Sequence, residues 1–176
     1  PDAQRTMATF IGACNRVAVG DVEEDIIAKS AVLYIEGYLW DVLEAKDAIR
    51  AAIAFAKKNG KKVALTLSDT FCVDRFRDEF LTLITEEVDV LFANEAELLA
   101  LFQTQDFNEA ITKLQGKCEI AAVTCGERGA VTVSHETIEH IGADRVAKLV
   151  DTTGAGDLFA AGFLYGYTDR KSTRLN

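Results

Sequence analysis

Short apolar runs alternate along the chain with longer stretches in which apolar residues recur at helical spacing. The apolar runs predict buried β-strands at residues 31–35, 63–67, 88–92 and 120–124. The longer stretches predict helices at residues 42–58, 73–84, 94–102, 107–114 and 158–167. Continuous apolar strands that alternate with helices are typical of a parallel sheet covered by helices on both faces, so the pattern predicts an α/β fold.

Polar residues and glycines mark where the longest of these helices begins and ends. Asp41 followed by Glu44 has the spacing of a capping box at the start of the 42–58 helix, and Asn59 with Gly60 ends it. Further predicted elements are a hairpin at residues 130–133 and 137–141 and a strand at 5–11. An apolar run at residues 146–150 leads into a glycine-rich segment.

Four polar or glycine-containing segments follow predicted strands or apolar runs, at residues 66–69, 93–97, 124–129 and 151–157. Parallel sheets bind ligands outside the carboxyl ends of their strands. We therefore expect these segments to converge on one crevice that carries the chemistry.

The segment with the most specific chemistry reads DTTGAGD at residues 151–157 and precedes an apolar helix. Glycines let a backbone approach a ligand closely, and the amide groups at a helix start favour an anion. The carboxylate of Asp157 can take a proton from a hydroxyl that attacks a phosphate. A plain helix start capped by Asp157 is the alternative, whereas a dinucleotide fingerprint fits poorly because Phe159 occupies its third glycine position.

The DTTGAGD string with its helix resembles the second signature of the PfkB (ribokinase-like) carbohydrate and nucleoside kinases. The strings EGYLWD at residues 36–41 and LTLSD at 65–69 are similar to the bacterial adenosine-kinase-like branch. The resemblance runs from about Arg5 to Thr168. It implies a three-layer α/β/α fold with a mostly parallel sheet, truncated at both ends. Residues 1–168 would be a partial kinase domain, with 1–15 leaving a small lid and re-entering the main domain.

The resemblance also implies a reaction, the transfer of the γ-phosphoryl group of ATP to a hydroxymethyl group. Asp157 would be the general base, and the backbone of Gly154, Ala155 and Gly156 would form the anion hole. Adenosine is the leading acceptor and a pentose or hexose the alternative. A non-catalytic nucleoside- or sugar-binding relative is a second class of function.

Two further segments match nucleotide-binding motifs of the family. Asn94 and Glu97 fit N-x-x-E, which implies that Asn94 lies near the triphosphate and Glu97 holds Mg²⁺ through water; a helix capping box is the alternative. Thr124, Gly126 and Gly129 fit T-x-G-x-x-G, the nucleotide loop of the family; a simple turn is the alternative.

Other residues carry weaker hypotheses. Asp151 and Thr153 match positions that support a monovalent cation in some family members, which raises K⁺ as a further cofactor. Arg5 matches a region whose arginine approaches the active site on lid closure, although a solvated surface arginine is the alternative.

Four residues on the strings that resemble the adenosine-kinase-like branch remain ambiguous. Ser68 and Asp69 fit either helix capping or lining of the crevice. Tyr38 and Trp40 are interpreted as core packing, since aromatic residues more often serve that purpose than base stacking.

Composition and charge narrow the class of protein. The chain has 176 residues, 49% of them hydrophobic, and a formal net charge of −9. We expect one globular domain, no nucleic-acid partner because there is no basic patch, and no membrane span because no apolar run reaches 18 residues. The cysteines at positions 14, 72, 118 and 125 are irregularly spaced, which predicts buried thiols in a reducing cytoplasm.

The two ends of the chain differ from the rest. Residues 169–176, DRKSTRLN, are basic and polar and resemble the translation of a sequencing-library adapter, so we predict a non-native tail. The chain starts at Pro1 and its only methionine is Met7, which predicts an internal fragment. We expect the fragment to be inactive and poorly soluble, and a homodimer is a hypothesis for the full-length protein.

Overall fold

The computed structural model describes residues 12–169, which fall into two compact units at residues 12–143 and 144–169. The strand predicted at residues 5–11, Arg5 itself and the tail from residue 170 onward lie outside the described residues.

A six-stranded sheet forms the centre of the first unit, in the order β1-β2-β3-β4-β5-β6. The strands are β1 Val32–Glu36, β2 Lys62–Thr66, β3 Val90–Asn94, β4 Ile120–Thr124, β5 Ala130–Ser134 and β6 Ile138–Ile141. Strands β1 to β4 pair in parallel, whereas β5 and β6 pair antiparallel as a hairpin. The predicted α/β fold with a mostly parallel sheet is therefore confirmed.

Five helices accompany this sheet, and all but the first were predicted to within a few residues. They are α1 Glu24–Lys29, α2 Leu43–Lys58, α3 Thr70–Glu86, α4 Glu95–Phe102 and α5 Phe107–Leu114. Short 3₁₀ turns lie at Gly12–Arg16, Val19–Asp21, Gly37–Asp41 and Gly126–Arg128. The Gly37–Asp41 turn comes directly after β1.

The core of the first unit lies on one face of the sheet. Alternate strand residues such as Leu65, Leu91 and Val123 join one hydrophobic cluster with residues of α1 to α5. Right-handed crossovers between strands that are neighbours in both sequence and space place successive helices on the same face. The helical layer of this unit therefore packs on this face, and residues of the other face such as Ala64, Val90 and Ala122 are buried as well.

Side chains at the helix ends show where local patterns succeed and fail. Asp69 caps α3 and Asp106 caps α5, each accepting hydrogen bonds from backbone N–H groups of the first turn. The capping box predicted for α2 is wrong, because Val42 is the N-cap and contributes no side-chain bond. Asp41 instead forms an ion pair with Arg75, its Oδ2 lying 2.5 Å from the guanidinium.

Charged side chains connect three parallel strands at their amino ends. Lys62 at the start of β2 contacts Asp89 before β3 at 3.1 Å and Glu119 before β4 at 2.5 Å. The Oδ2 atom of Asp89 also accepts a hydrogen bond of 2.8 Å from the N–H of Val63. This edge is opposite to the one where ligands are expected.

The second unit contains helix α6, Ala155–Thr168. Residues 144–154, all within the described part of the chain, form no strand or helix, so the apolar run at 146–150 is not a strand. A strand needs a neighbour for its backbone hydrogen bonds, which an apolar run alone does not supply. Ala160 is the buried residue of α6, whereas Leu158 and Tyr165 are about three-quarters exposed.

Candidate active site

The carboxyl ends of β1 to β4 bring three of the predicted segments to one edge of the sheet. Residues 66–69 follow β2, residues 93–97 span the end of β3, and residues 124–129 span the end of β4. The register pairs Asn94 directly with Thr124, and neighbouring strands lie about 4.8 Å apart. Two predicted nucleotide-binding residues are therefore next to each other on the same face of the sheet.

Asn94 and Glu97 form a reciprocal capping box at the start of α4. The Oδ1 atom of Asn94 accepts from the N–H of Glu97 at 2.9 Å, and Oε2 of Glu97 accepts from the N–H of Asn94 at 2.9 Å. The side-chain amide of Asn94 also donates to Oε1 of Glu97 at 2.7 Å. The helix-cap interpretation is thus realised, and each oxygen of Glu97 retains lone-pair capacity for a further donor.

The carboxyl group of Glu97 is in an unusual electrostatic environment. It is 5% exposed, and burial raises its pKa above the usual value. The backbone hydrogen bond from Asn94 opposes that rise, and the charge of Asp69 adds to it. A cation close to this carboxylate would offset the cost of burying its charge.

The loop between β4 and β5 is a tight turn that contains two glycines, one in crowded and one in open surroundings. The N–H of Cys125 donates to the carbonyl of Gly129 at 2.7 Å, and Gly129 N–H donates to the carbonyl of Gly126 at 3.0 Å. Gly129 has φ 96°, and a Cβ there would overlap the carbonyl oxygen of Ile141. Gly126 has φ 59° but faces open space. Packing therefore explains Gly129, whereas the space at Gly126 is open to a ligand.

An ion pair that the sequence analysis did not identify joins this loop to α4. The guanidinium of Arg128 contacts the carboxylate of Glu95 and lies 6.0 Å from the ring centre of Phe107. The sequence offered one signal for this ion pair, the opposite charges in two motif segments that follow neighbouring strands. The pair connects the loop to the Asn94–Glu97 cap.

Acidic and hydroxyl groups occupy the β1 and β2 end of the same edge. Glu36 ends β1, and its Oε2 lies 3.4 Å from the hydroxyl of Ser68. Ser68 has φ 70°, a left-handed conformation that costs energy for a residue with a side chain. Of the two interpretations given for Asp69, helix capping is confirmed. Glu36 was not predicted, although an acidic residue that ends an apolar strand is a recognisable signal.

The aromatic residues of the Gly37–Asp41 turn behave differently from each other. Trp40 is 2% exposed, which confirms its interpretation as core packing. Tyr38 is 44% exposed, so core packing is wrong for this ring. The turn therefore has one buried and one exposed aromatic side chain.

In the second unit, the GAGD segment forms the start of α6. Gly154 is the N-cap with φ 72°, and the N–H of Leu158 donates to its carbonyl at 2.9 Å. The N–H groups of Gly156 and Asp157 precede this first helical bond and point out of the helix start. The side chain of Asp157 is exposed. Amide donors and an accessible carboxylate are thus combined within one turn.

Asp151 and Thr153 interact with each other ahead of that helix. The Oδ1 atom of Asp151 accepts from the N–H of Thr153 at 2.8 Å and from its hydroxyl at 2.7 Å. This turn supports the GAGD segment and places two hard oxygen ligands close together.

Comparison with known proteins decides the family. The pattern of conserved positions of the pfkB family carbohydrate kinases matches residues 2–174. The chain belongs to this family. The resemblance inferred from the DTTGAGD string is confirmed.

Solved and curated relatives of this pfkB chain include nucleoside and sugar kinases. The adenosine kinase from Sinorhizobium meliloti is 51% identical with a TM-score of 0.92, covering 95% of this chain and 51% of that one. A "probable sugar kinase protein" from Rhizobium etli CFN 42 is 50% identical with a TM-score of 0.86, covering 88% and 47%. The adenosine kinase of Saccharomyces cerevisiae is 29% identical over 178 residues, covering 93% and 52%. The chain spans about half the length of these relatives.

The remaining features of the pfkB chain bear on metals, thiols and membranes. Within residues 12–169, no three His, Cys, Asp or Glu side chains are grouped as a metal site would require. Cys72 and Cys118 are buried as predicted, and burial raises their thiol pKa values to about 11 and about 12, whereas Cys14 is exposed. None of the described helices is long and apolar enough to cross a membrane.

Proposed function

We propose that the full-length protein is an ATP-dependent kinase that phosphorylates a hydroxymethyl group of a ribonucleoside or a sugar, with adenosine as the preferred acceptor. The observation that carries this proposal is the start of α6, where exposed Asp157 follows the N-cap Gly154. The names of the relatives at about half identity, an adenosine kinase and a probable sugar kinase, support the same class.

Asp157 has the chemistry of the general base in this reaction. Its carboxylate would accept the proton of the acceptor hydroxyl while that oxygen bonds to the γ-phosphorus and the bond to the departing ADP breaks. The backbone of Gly154, Ala155 and Gly156 would form the anion hole, with the N–H groups of Gly156 and Asp157 as its donors, because the N–H of Ala155 donates to the carbonyl of Thr152 at 3.1 Å. The proton, the phosphoryl group and the leaving group are all accounted for in this step.

The β3 and β4 ends would hold the nucleotide. Asn94, Thr124 and Gly126 lie at that edge, and Gly129 shapes the loop. Glu97 fits a Mg²⁺ that keeps its water shell, since a single buried carboxylate can hold such an ion through water while phosphate supplies other ligands. When bound, Mg²⁺ would neutralise phosphate charge.

Several further assignments complete the proposal. Asp151 and Thr153 would support K⁺ beside the anion hole, and Arg5 would approach the acceptor when the lid closes. Residues 1–168 would be part of one kinase domain, and 169–176 would be a non-native tail. The full-length protein would be a cytoplasmic enzyme, with a homodimer as its assembly and no nucleic-acid partner.

A transfer assay with full-length protein tests the class and the acceptor together. Radiolabelled γ-phosphate should move from ATP to adenosine faster than to ribose or fructose, and only with Mg²⁺ present. Faster transfer to a sugar would replace the nucleoside assignment, which the R. etli relative makes the second candidate. Tight adenosine binding without any transfer would instead indicate a non-catalytic relative.

A further inference from the structure

A partly buried ion pair joins α2 to α3 beside the Gly37–Asp41 turn. The Nζ atom of Lys46, a residue only 9% exposed, lies 3.0 Å from both carboxylate oxygens of Glu79. The indole N–H of Trp40 donates to the same carboxylate at 3.0 Å. The Lys46 ammonium also lies 5.3 Å from the Trp40 ring centre and 4.5 Å from that of Phe76. These residues, 40, 46, 76 and 79, are called the Lys46 cluster.

The Lys46 cluster is one of two anchors of the Gly37–Asp41 turn. At the far end, a Cβ on Gly37 would lie 2.6 Å from the carbonyl oxygen of Thr66, so the turn packs directly on the end of β2. The thiol of Cys72 donates to the carbonyl of Gly37 at 3.2 Å. The turn is therefore held at both ends, with the half-exposed ring of Tyr38 between them.

The same cluster lies at an interruption of α3. Phe76 has φ −122° and ψ 23°, which is not helical, so α3 bends there. At this kink the Phe76 ring contacts the Lys46 ammonium. The kink thus lies beside the group that holds Trp40, and the first part of α3 contacts the Gly37–Asp41 turn through Cys72.

These anchored segments occupy a defined part of the ligand edge. They follow β1 and β2, whereas the proposed nucleotide residues follow β3 and β4. In this sheet order, the usual strand spacing places β1 and β4 about 14 Å apart. Glu36 and Ser68, both able to hydrogen-bond a hydroxyl, belong to the β1 and β2 end. If the nucleotide binds at β3 and β4, that end remains for the acceptor.

We propose that Lys46 and Glu79 are positioning residues for the acceptor, holding the Gly37–Asp41 turn and the start of α3 as a rigid wall of its site. This inference rests on the proposed function, because it assumes a nucleotide at β3 and β4. Ion pairs with an exposed partner, as the Glu79 side chain is here, generally contribute little to stability. Fixing the Trp40 N–H in direction is something that apolar packing does not achieve.

Kinetics of full-length variants test the positioning role. Glu79→Gln keeps the size of the side chain and removes its charge, and we expect the acceptor KM to rise about five- to tenfold while kcat and the KM for ATP stay within about twofold. Glu119→Gln is the matched control, since it breaks the ion pair with Lys62 at the opposite edge. All three constants should stay at wild-type values in this control.

A second variant covers the case in which Glu79→Gln does not fold. Trp40→Phe keeps an aromatic ring for the Lys46 ammonium but removes the N–H donor to Glu79, and a rise of about two- to threefold in acceptor KM is expected. Circular dichroism establishes that each variant is folded.

The outcomes separate this inference from the kinase proposal. If wild-type protein binds adenosine without transferring phosphate, the kinase proposal fails, and the adenosine Kd of the same variants takes the place of KM. An unchanged acceptor constant in the folded variants would overturn the positioning role. Equal weakening for acceptor and ATP, or a wild type that binds no acceptor, would also overturn it.

Discussion

At the scale of single residues, Asp157 is the residue whose replacement should lower the rate of phosphoryl transfer most directly. It is an exposed carboxylate in the first turn of α6, and in the function that we propose it is the general base. A general base contributes about 10² to 10⁴ in rate.

Asp157→Asn in the full-length protein should lower kcat at least about 100-fold with little change in the KM for ATP, because the amide cannot accept the proton. Steady-state transfer rates measure this. Asp144→Asn, another exposed aspartate of the same unit, is the control and should retain wild-type turnover. Near-normal kcat in the Asp157 variant would remove the general-base assignment.

The two glycines of the 124–129 loop allow a second prediction at this scale. Gly129→Ala should lower the free energy of unfolding by about 2 to 4 kcal/mol, since its backbone conformation excludes a side chain and Ile141 leaves no room. Gly126→Ala meets open space and should cost about 1 to 2 kcal/mol from its positive φ alone. Urea unfolding followed by circular dichroism distinguishes them, and equal losses would contradict the structural difference.

The sequence identified both glycines through their spacing but could not tell their roles apart. A glycine is required at position 129 because a Cβ there would overlap the carbonyl oxygen of Ile141. Ile141 lies in β6 and comes close to Gly129 only through the pairing of β5 with β6. The Asn94–Glu97 cap was predictable for the opposite reason, because all of its bonds lie within four consecutive residues.

At the scale of elements, strands and helices with strong local patterns were predictable, and those that depend on distant partners were not. Helices α2 to α5 have apolar residues at helical spacing, and strands β1 to β4 are short continuous apolar runs. Asp41 had the right spacing to cap α2 but is held by Arg75, 34 residues later. Helix α1 has six residues, too few for a periodic signal.

The contact between α2 and α3 predicts a pH dependence through Glu79. Burial alone would raise the pKa of this carboxyl group, but hydrogen bonds from Lys46 and Trp40 and the charges of Lys46 and Arg50 lower it below the ordinary 4.5. A lowered folded-state pKa means that the contribution to stability is present above pH 4.5 and is lost as pH falls through the folded value.

Urea midpoints of wild-type and Glu79→Gln protein between neutral and acid pH measure this effect. The wild type should be the more stable at neutral pH, and the difference should shrink below pH 4.5. A difference that stays constant into acid, or grows there, would show that the charge of Glu79 does not stabilise the contact.

At the scale of the whole molecule, much apolar surface is exposed. Val146, Val150, Leu158 and Tyr165 in the second unit are each about three-quarters exposed, and all of β6 is exposed. Exposed apolar patches of this kind promote association. The alternation of strands and helices predicted the class of fold, but sheet order and which surfaces are covered depend on contacts between distant segments.

The 176-residue chain on its own should therefore aggregate at micromolar concentration, as light scattering and gel filtration would show. A Leu158→Glu/Tyr165→Glu double variant should reduce the aggregation, because it places charge on two of the most exposed apolar positions. A matched Glu23→Gln/Glu44→Gln variant on the first unit should not reduce it. A monomeric wild-type chain with a cooperative melt would contradict the expectation.

The bridge from Lys62 to Asp89 and Glu119 gives the sheet a mechanical asymmetry. It ties three strands together at their amino ends, whereas at the carboxyl ends the same strands continue into turns such as those at Ser68 and Gly126. A load that spreads the ligand-side loops would be taken up by rotation of the turn dihedrals, while the strand register stays fixed at the tied end. We therefore expect the loops to change their spacing before the strands that carry them shift.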